Sequence, residues 1–485
     1  MTNRYIPLDL LRGLAIFGMI FSAIIPYGDL PAWMYHIQNP PPTHQLDISV
    51  TGIGWVDFVF PLFIFCMGVS IPLAGRRGIV GRGGIAETEV KRSSGADTGA
   101  IVEEKREVTN RYVISVLKRF LMLWIFSYLY IFVDYSQDYG WQSYIATIIG
   151  FMLLFVIYYA FPKEGKLMKY KSKIRMYGWV AMATLIVFGY LRFNEEISLN
   201  RSGIIIFLLA FLYLFGSLIW YFTRDNHKHR IFAFIAILLF AAGTMPFGLQ
   251  PKLYAIPEIR WFFNMEYIYF LLIVIPATYI GDILRQKLLS GCFGTIESEQ
   301  EQSSRKRERS IQKQKQSSQK TEQLIQKQEH LSQRVEQSVG KEESKGWILL
   351  WKREIIVALI SIIAGFTAMI IEGRVTKVPC TVSYCLITLG VSILLLLLAD
   401  RIVSWAENSY TVRIFAGAGA NPLMSYVSFG SFIMPLMKVT GFIYIYNILY
   451  PAGYPWMGVL RAFVFVLLTL ALVAKMSENK IFWRA

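Results

Sequence analysis

Two histidines and one aspartate stand close together in the sequence, where a polar loop meets an apolar segment. His36 and His44 belong to residues 28–52, a stretch with no Lys or Arg, and Asp57 follows at the start of the next apolar segment. A neutral imidazole near physiological pH accepts a proton or acts as a nucleophile. Asp57 either orients such a ring and stabilises its protonated form, or serves only as a first-turn acid of its helix. A long loop without a secondary-structure signal of its own is often functional, so this stretch, named the histidine loop, is predicted to carry the chemistry.

The elements that position these residues are predicted to be membrane helices. The chain has 485 residues, of which 54% are hydrophobic and 15% aromatic, and a mean hydropathy of +0.43. A soluble domain cannot bury that much apolar surface, so the composition indicates a polytopic membrane protein. The net charge of +16 would suit nucleic acid, but Lys and Arg fall mostly in loops between apolar segments, which argues against that partner. The four cysteines have neither a CxxC nor a zinc spacing, so we expect no metal and no disulfide framework.

Twelve apolar segments are long enough to cross a bilayer, which takes about 20 helical residues. Alternate connecting loops are rich and poor in Lys and Arg, which predicts that both termini are cytoplasmic. We therefore expect an all-α, polytopic transmembrane helical bundle of about twelve spans. Ten or eleven spans are the alternative, because segments 177–193 and 231–247 are short. The predicted spans are 8–27, 53–74, 112–133, 142–161, 177–193, 203–222, 231–247, 263–284, 354–372, 381–400, 414–436 and 456–475.

The composition divides the chain into two membrane halves. Residues 1–285 form the half with the histidine loop and a cytoplasmic insertion at 75–111, and residues 347–485 form the other half. Residues 286–346 are rich in Gln, Lys, Ser and Glu and have too little apolar surface to offset the entropy lost on ordering. We expect them to be a disordered, basic cytoplasmic linker, which can also contact anionic lipid.

Several charged side chains fall inside predicted spans, where an unpaired charge is costly. Asp9 and Arg12 lie three residues apart and can pair on one helix face, either to fix helix packing or to act directly. Lys118 and Arg119 are expected near the cytoplasmic end of the third span, where they either reach lipid headgroups or receive phosphates of a cytoplasmic cofactor. Glu266 is expected near the external end of the eighth span.

Asn421 and Pro422 interrupt the eleventh predicted span, just after a run of small residues. Such an interruption serves either close helix packing or a kink that lines a cavity. In the second case Asn421 can donate a hydrogen bond to a developing oxyanion. The candidate substrate- or cofactor-binding residues are thus Asn421, Glu266, Arg12, Asp9, Lys118 and Arg119.

Four sequence motifs make the chain similar to a known family. The first 74 residues contain PLDLLRGLAIFGMI, YGDLPAWMYH and GIGWVDFVFPLFIFCMGVS, and GANPLMSYV lies nearer the C-terminus. Together these motifs resemble the heparan-α-glucosaminide N-acetyltransferase family and its bacterial relatives. The likeness is specific over the first 74 residues, weaker at 411–430, and mostly one of hydropathy in between.

The resemblance implies a transmembrane acyltransferase that takes acetyl from cytoplasmic acetyl-CoA and delivers it to an amino sugar or glycan across the membrane. The family's essential histidine follows an aromatic-rich segment between the first two helices, and His36 matches that spacing best. The family also has a Trp-Asn-Gly before the second helix and an asparagine at the end of the first. Here the loop is longer, His44 lies nearer the second helix, and Ile25-Pro26-Tyr27 replaces the asparagine. Both histidines therefore remain candidates for the general base or acyl carrier.

The partners expected from this likeness are the lipid bilayer, acetyl-CoA as acyl donor and the amino-sugar or glycan acceptor. The chain is expected in a bacterial cytoplasmic (inner) membrane, as a monomer or homodimer. The alternative function is a multi-pass transporter or flippase for a glycan or lipid, which would predict internal repeats that are not evident between the halves. A membrane scaffold that recruits partners through the basic linker does not explain the histidine loop.

Overall fold

A computed structural model describes residues 4–80, 98–135, 140–162, 166–194, 196–244, 266–289, 350–451 and 453–484. Over these ranges the chain is helical, and the only strand-like pairing within them is an isolated bridge between Tyr159 and Trp483. A helix satisfies its backbone hydrogen bonds internally, which is what an apolar surrounding demands of these hydrophobic segments. The predicted all-α class is therefore confirmed.

The helices are numbered here in chain order over the described ranges. They are α1 (Ile6–Ile24), α2 (Trp55–Val80), α3 (Thr98–Phe132), α4 (Trp141–Tyr158), α5 (Lys166–Phe193), α6 (Ile204–Thr223), α7 (His227–Thr244), α8 (Glu266–Leu289), α9 (Lys352–Glu372), α10 (Val382–Ala406), α11 (Tyr410–Gly419), α12 (Pro422–Ser428), α13 (Met434–Thr440), α14 (Ile443–Ile448) and α15 (Pro455–Glu478). A 3₁₀ turn covers Ala32–Met34 and a π-helical turn covers Phe429–Ile433.

Ten of these helices, within the part of the chain that the structure describes, are long and apolar enough to cross a membrane. They are α1 to α6, α8 to α10 and α15. This confirms a polytopic helical membrane protein, and the finer count of twelve spans stays a prediction. The predicted span 231–247 overlaps α7, whose last described residue is Thr244.

The eleventh predicted span, 414–436, is broken as the Asn-Pro pair predicted. Helix α11 ends at Gly419, and α12 begins at Pro422, whose missing N–H suits the first position of a new helix. The π-helical turn and α13 follow directly, so the segment consists of helices of 10, 7 and 7 residues around that turn. None of these short helices spans a bilayer alone.

Helices α1, α2, α8 and α10 form the centre of the bundle, whereas α5 and α9 lie at its outside. Helix α1 crosses α11 so closely that a methyl group on Gly13 would overlap the backbone oxygen of Phe415. A methyl group on Gly419 would overlap the backbone oxygen of Asp9 in the same way. Small residues let two helices approach this closely in membranes, where packing rather than hydrophobic burial drives association.

The two predicted cytoplasmic insertions fall largely outside the described residues. The insertion expected at 75–111 is shortened by helix at both sides, since α2 continues to Val80 and α3 begins at Thr98. Of the linker expected at 286–346, only 286–289, at the end of α8, is described. The helices on either side of the linker meet, because Lys287 Nζ lies 2.5 Å from Glu354 Oε1.

Candidate functional site

His36 and Asp57 are brought together across 21 positions of sequence. Nδ1 of His36 lies 2.6 Å from Oδ1 of Asp57, and the side chains are 39% and 4% exposed respectively. An ionised carboxylate accepts hydrogen bonds only, so Nδ1 carries the proton and donates it to Asp57. In the neutral ring Nε2 is then the basic nitrogen, and no hydrogen bond to Nε2 is found among the described residues. The arrangement is a half-exposed imidazole whose tautomer is fixed by a buried carboxylate.

The Asp57 carboxylate is itself held in place from both sides of the loop. Its Oδ2 accepts hydrogen bonds from the backbone N–H groups of Ile37, at 3.1 Å, and Gly54, at 3.2 Å. One donor follows the histidine in the loop, and the other precedes α2. The aspartate therefore ties the histidine loop to the start of the helix, in addition to orienting the ring.

A tyrosine from the far half of the chain completes this helix start. Tyr384 donates its hydroxyl proton to the backbone oxygen of Asp57 at 2.6 Å. In α2 that oxygen would normally accept from the residue four positions later, which is Pro61 and has no N–H. Tyr384 replaces the missing donor, so the proline and the tyrosine together set the position of the Asp57 backbone.

The histidine loop is seated on a second loop, residues 373–380 between α9 and α10. The Gln38 amide donates to the backbone oxygen of Val378 at 2.5 Å, and the Val378 N–H donates back at 2.9 Å. The Gly52 N–H also donates to the oxygen of Val375, at 2.8 Å. These bonds hold the loop at two points on either side of His44.

The beginning of the histidine loop is held by bonds to the chain just after α1 and to the segment before α15. Tyr35 is buried and donates to the backbone oxygen of Pro26 at 2.6 Å, and it accepts from the Leu30 N–H at 3.2 Å. Tyr450 donates to Asp29 at 2.6 Å, and this bond to a carboxylate raises the pKa of the tyrosine phenol. His36 thus follows a stretch of loop that is fixed along its length.

His44 lies between two aromatic rings. The ring centroid of Tyr27 is 4.7 Å away and that of Tyr35 is 4.5 Å away, both edge-on. Both ring nitrogens of His44 are buried and make no hydrogen bond with any described residue. Because a buried polar atom without a partner costs free energy, His44 is a second candidate for contact with a polar ligand. Asp57 contacts His36 and not His44, so of the two rings only that of His36 is oriented by a carboxylate among the described residues.

Asp9 and Arg12 form the predicted pair, and the structure gives it a packing role. Nη1 of Arg12 lies 2.8 Å from Asp9 Oδ1 and 3.0 Å from the backbone oxygen of Gly419, and Nη2 lies 2.6 Å from Ser70 Oγ. The guanidinium therefore joins α1, α2 and the end of α11. About twelve residues of helix separate Arg12 from the end of α1, which is roughly 18 Å, so this pair does not share a site with His36.

Asn421 makes side-chain hydrogen bonds with the C-terminal tail, and its donation to an oxyanion stays a prediction. Its amide nitrogen donates to the backbone oxygen of Ile481 at 3.1 Å, and its oxygen accepts from the Trp483 N–H at 3.1 Å. The side chain is fully buried. These contacts attach the C-terminal tail beside the Arg12 end of the bundle, opposite the histidine loop. Asn421 therefore holds the broken helix against the C-terminal tail.

Lys118 and Arg119 are also displaced from their predicted position near the cytoplasmic end of a span. They lie near the middle of the apolar part of α3, which covers Arg106–Phe132, and both are exposed at the side of the bundle. The Arg119 guanidinium lies over the ring of Tyr213, near the middle of α6, at 4.7 Å from the ring centroid. Glu266 is the first residue of α8, and its side chain lies outside the described residues.

Three contributors to the site were not singled out from the sequence, namely Tyr384, Gln38 and Trp55. Tyr384 and Val378 are more than 320 positions from their partners in sequence. A sequence signal existed for one of them, since Pro61 leaves the carbonyl of Asp57 without its helical donor. The indole N–H of Trp55, two residues before Asp57, is buried and makes no hydrogen bond among the described residues. It is a donor that a polar ligand can use.

The fold and this site together define the class of protein: a polytopic α-helical membrane protein with a histidine–aspartate pair seated at one end of its bundle. A family model described as "Domain of unknown function (DUF5009)" matches residues 4–84 and 92–284. This is more than half of the chain, and the chain therefore belongs to that family. The matched residues include the histidine loop and Asp57, whereas Tyr384 and Val378 lie outside them. No curated protein matches the chain.

Proposed function

We propose that this protein is a transmembrane acyltransferase that moves an acetyl group from cytoplasmic acetyl-CoA to an amino sugar or glycan on the other side of the membrane. The observation that carries the proposal is the His36–Asp57 pair, with Nδ1 bonded at 2.6 Å and Nε2 open. The likeness of the histidine-loop motifs to the heparan-α-glucosaminide N-acetyltransferase family supplies the reaction and the substrates. The geometry supplies a residue able to carry it out.

The proposed reaction needs His36 to act either as a base or as a nucleophile. In direct transfer, the acceptor nitrogen attacks the thioester carbonyl, Nε2 of His36 takes the proton that this nitrogen loses, and the thiolate leaves. In the covalent route, Nε2 attacks first, the thiolate leaves, and the acetyl group passes from the ring to the acceptor. Asp57 stabilises the positive imidazolium in both routes. A positioned base of this kind contributes a rate factor of about 10² to 10⁴.

The proposed orientation places the histidine loop outside the cytoplasm and both chain termini inside, in a bacterial cytoplasmic membrane. The support is the charge pattern, because residues 28–52 have no Lys or Arg whereas the loops at the other end are basic. Helix α1 has 19 residues, so the two ends of the bundle are roughly 28 Å apart. The acetyl-bearing end of the donor must cover most of that distance inside the bundle to reach His36.

The decisive experiment measures labelled acetyl transfer in membranes that contain the wild type, His36→Ala, His44→Ala or a matched control. His229→Ala is the control, because His229 lies exposed in the first turn of α7, far along the chain from the histidine loop. Loss of transfer in His36→Ala alone supports the assignment, and loss in His44→Ala alone moves the base to His44. Full activity in both loop variants rejects the proposal.

A transporter or flippase for a glycan or lipid is the second candidate, and the broken helix α11–α13 favours it. Discontinuous helices form the substrate sites of many transporters. Thermal stabilisation of the detergent-solubilised protein by acetyl-CoA discriminates between the two, because only the acyltransferase has a reason to bind it. Substrate movement in sealed vesicles without acetyl transfer would favour the transporter.

A further inference from the structure

Two cysteines lie side by side directly beneath the histidine loop. The Sγ atoms of Cys380 and Cys385 are 3.5 Å apart, and both side chains are fully buried. Between them, Thr381 caps α10, with its hydroxyl accepting a hydrogen bond from the Tyr384 N–H at 3.2 Å. The two cysteines therefore flank the first turn of α10, the turn that also carries the tyrosine of the site.

Their positions relative to the cap explain why the sulfur atoms meet. Cys380 immediately precedes the capping residue, and Cys385 is the fourth residue of the helix. Side chains at these two positions commonly pack on each other across the first turn of a helix and fix the angle at which the chain enters it. Here that contact is made by two thiols instead of two hydrocarbon side chains.

Whether the two thiols can become oxidised depends on the side of the membrane on which they lie. The 373–380 loop bonds to the histidine loop through Gln38 and Gly52, so both loops lie at the same end of the bundle. The proposed orientation, on which this inference rests, places that end outside the cytoplasm. Disulfides form and persist in such compartments, whereas cytoplasmic thiols are kept reduced.

We propose that Cys380 and Cys385 are joined by a disulfide in the mature protein. The two S–H bonds break and one S–S bond forms. Two protons leave, and two electrons pass to a disulfide-bearing thiol oxidant of the extracytoplasmic compartment, whose own disulfide becomes two thiols. The sulfurs need to approach by about 1.5 Å to reach the covalent distance of about 2.0 Å.

The disulfide covalently closes the turn that holds the site. Val378, which pairs with Gln38, lies two residues before Cys380, and Tyr384, which bonds to the Asp57 backbone, lies one residue before Cys385. Only four residues separate the cysteines, so the disulfide restricts a short stretch and acts on local geometry. Because both sulfurs are buried, the bond forms before α10 packs against α8, where Cys385 now faces the Tyr269 backbone oxygen at 3.6 Å.

The test counts thiols in a chain that keeps only this pair. Membranes that contain the Cys66→Ser, Cys292→Ser variant are prepared without any thiol-blocking reagent. They are denatured in detergent and labelled with a maleimide that adds a mass visible on a gel. The proposal predicts no mass shift before reduction and two shifts after it. Adding Cys380→Ser to the same background leaves one cysteine, which must shift without reduction. Two shifts before reduction overturn the proposal.

Two further readings separate this inference from the proposed function. Wild-type protein should lose roughly 2–5 °C of melting temperature on reduction, and the Cys380→Ala, Cys385→Ala variant should melt at that lower temperature with or without reductant. A Thr43→Cys probe on the exposed part of the histidine loop reports the orientation with a membrane-impermeant maleimide. Free thiols together with outside labelling of the probe reject the disulfide alone. If the thiols are free and the maleimide labels the probe only from the cytoplasmic side, the proposed orientation of the enzyme is rejected as well.

Discussion

Replacing Asp57 with Asn tests the pair at the centre of the site with one atom changed. The Ile37 and Gly54 N–H groups donate to one carboxylate oxygen, so the Asn oxygen is expected to take that place. Its NH₂ group then faces His36 Nδ1, which must become an acceptor, and the ring proton moves to Nε2. The nitrogen assigned to accept a proton or an acetyl group is then blocked. We expect acetyl transfer to fall by about 10² to 10⁴-fold, the range for removing a correctly oriented base.

The folding cost of this substitution is expected to be small. Both backbone bonds survive, and the lost charge-assisted bond involves a ring that is 39% exposed, so the free energy of unfolding should fall by about 1 kcal/mol. The assay is the rate of labelled acetyl transfer at equal amounts of folded protein. Asp47→Asn is the matched control, because Asp47 is exposed on the same loop and its side chain bonds only to Ser49 among the described residues. Transfer by Asp57→Asn within threefold of the wild type would refute the tautomer argument.

Three further substitutions test how the site is held. Tyr384→Phe removes the donor to the Asp57 carbonyl, for which the described residues offer no other. It should lower the free energy of unfolding by about 1–3 kcal/mol in denaturation of the solubilised protein, and an unchanged midpoint would contradict this role. Gly419→Ala should lower the free energy of unfolding by about 3 kcal/mol, because the added methyl group overlaps backbone where α1 crosses α11. Gly430→Ala, with open space around it, should leave the free energy of unfolding unchanged. Equal stability of the two variants would show that the crossing can relax. Gln38→Ala removes both bonds to Val378 and should increase hydrogen exchange across the histidine loop, and unchanged exchange would show that other contacts hold the loop.

The part of the site that was predicted from sequence depends on short-range features. His36 and Asp57 lie 21 positions apart on either side of a single loop, so one loop and one helix start are enough to bring them together. The same reasoning identified Arg12 and Asp9 as a pair, because residues three apart share a helix face. It did not identify the partners of Asn421, the backbone of Ile481 and Trp483, because these contacts depend on the packing of the C-terminal tail.

The fold was predicted where a span is long and uniformly apolar, and less well where charge interrupts it. The centre of α2 and α10 follows directly from hydropathy. Lys118 and Arg119 were expected near the end of a span that begins at residue 112, but α3 begins earlier, at Thr98. A charged pair on the outer face of a long helix can be tolerated when an aromatic ring such as Tyr213 covers part of it, and periodicity alone does not show that neighbour.

The contacts that hold the histidine loop have a consequence for how the chain can be divided into fragments. The recognised family region stops at residue 284, yet the side chain that caps the aspartate carbonyl and the backbone that grips Gln38 come from residues 378–384. A fragment made only of the recognised region would keep His36, His44 and Asp57 and lack the residues that hold the histidine loop in place. Two fragments separated within the linker and produced together should, in contrast, rebuild a working protein, because the helices on either side of it already touch through Lys287 and Glu354.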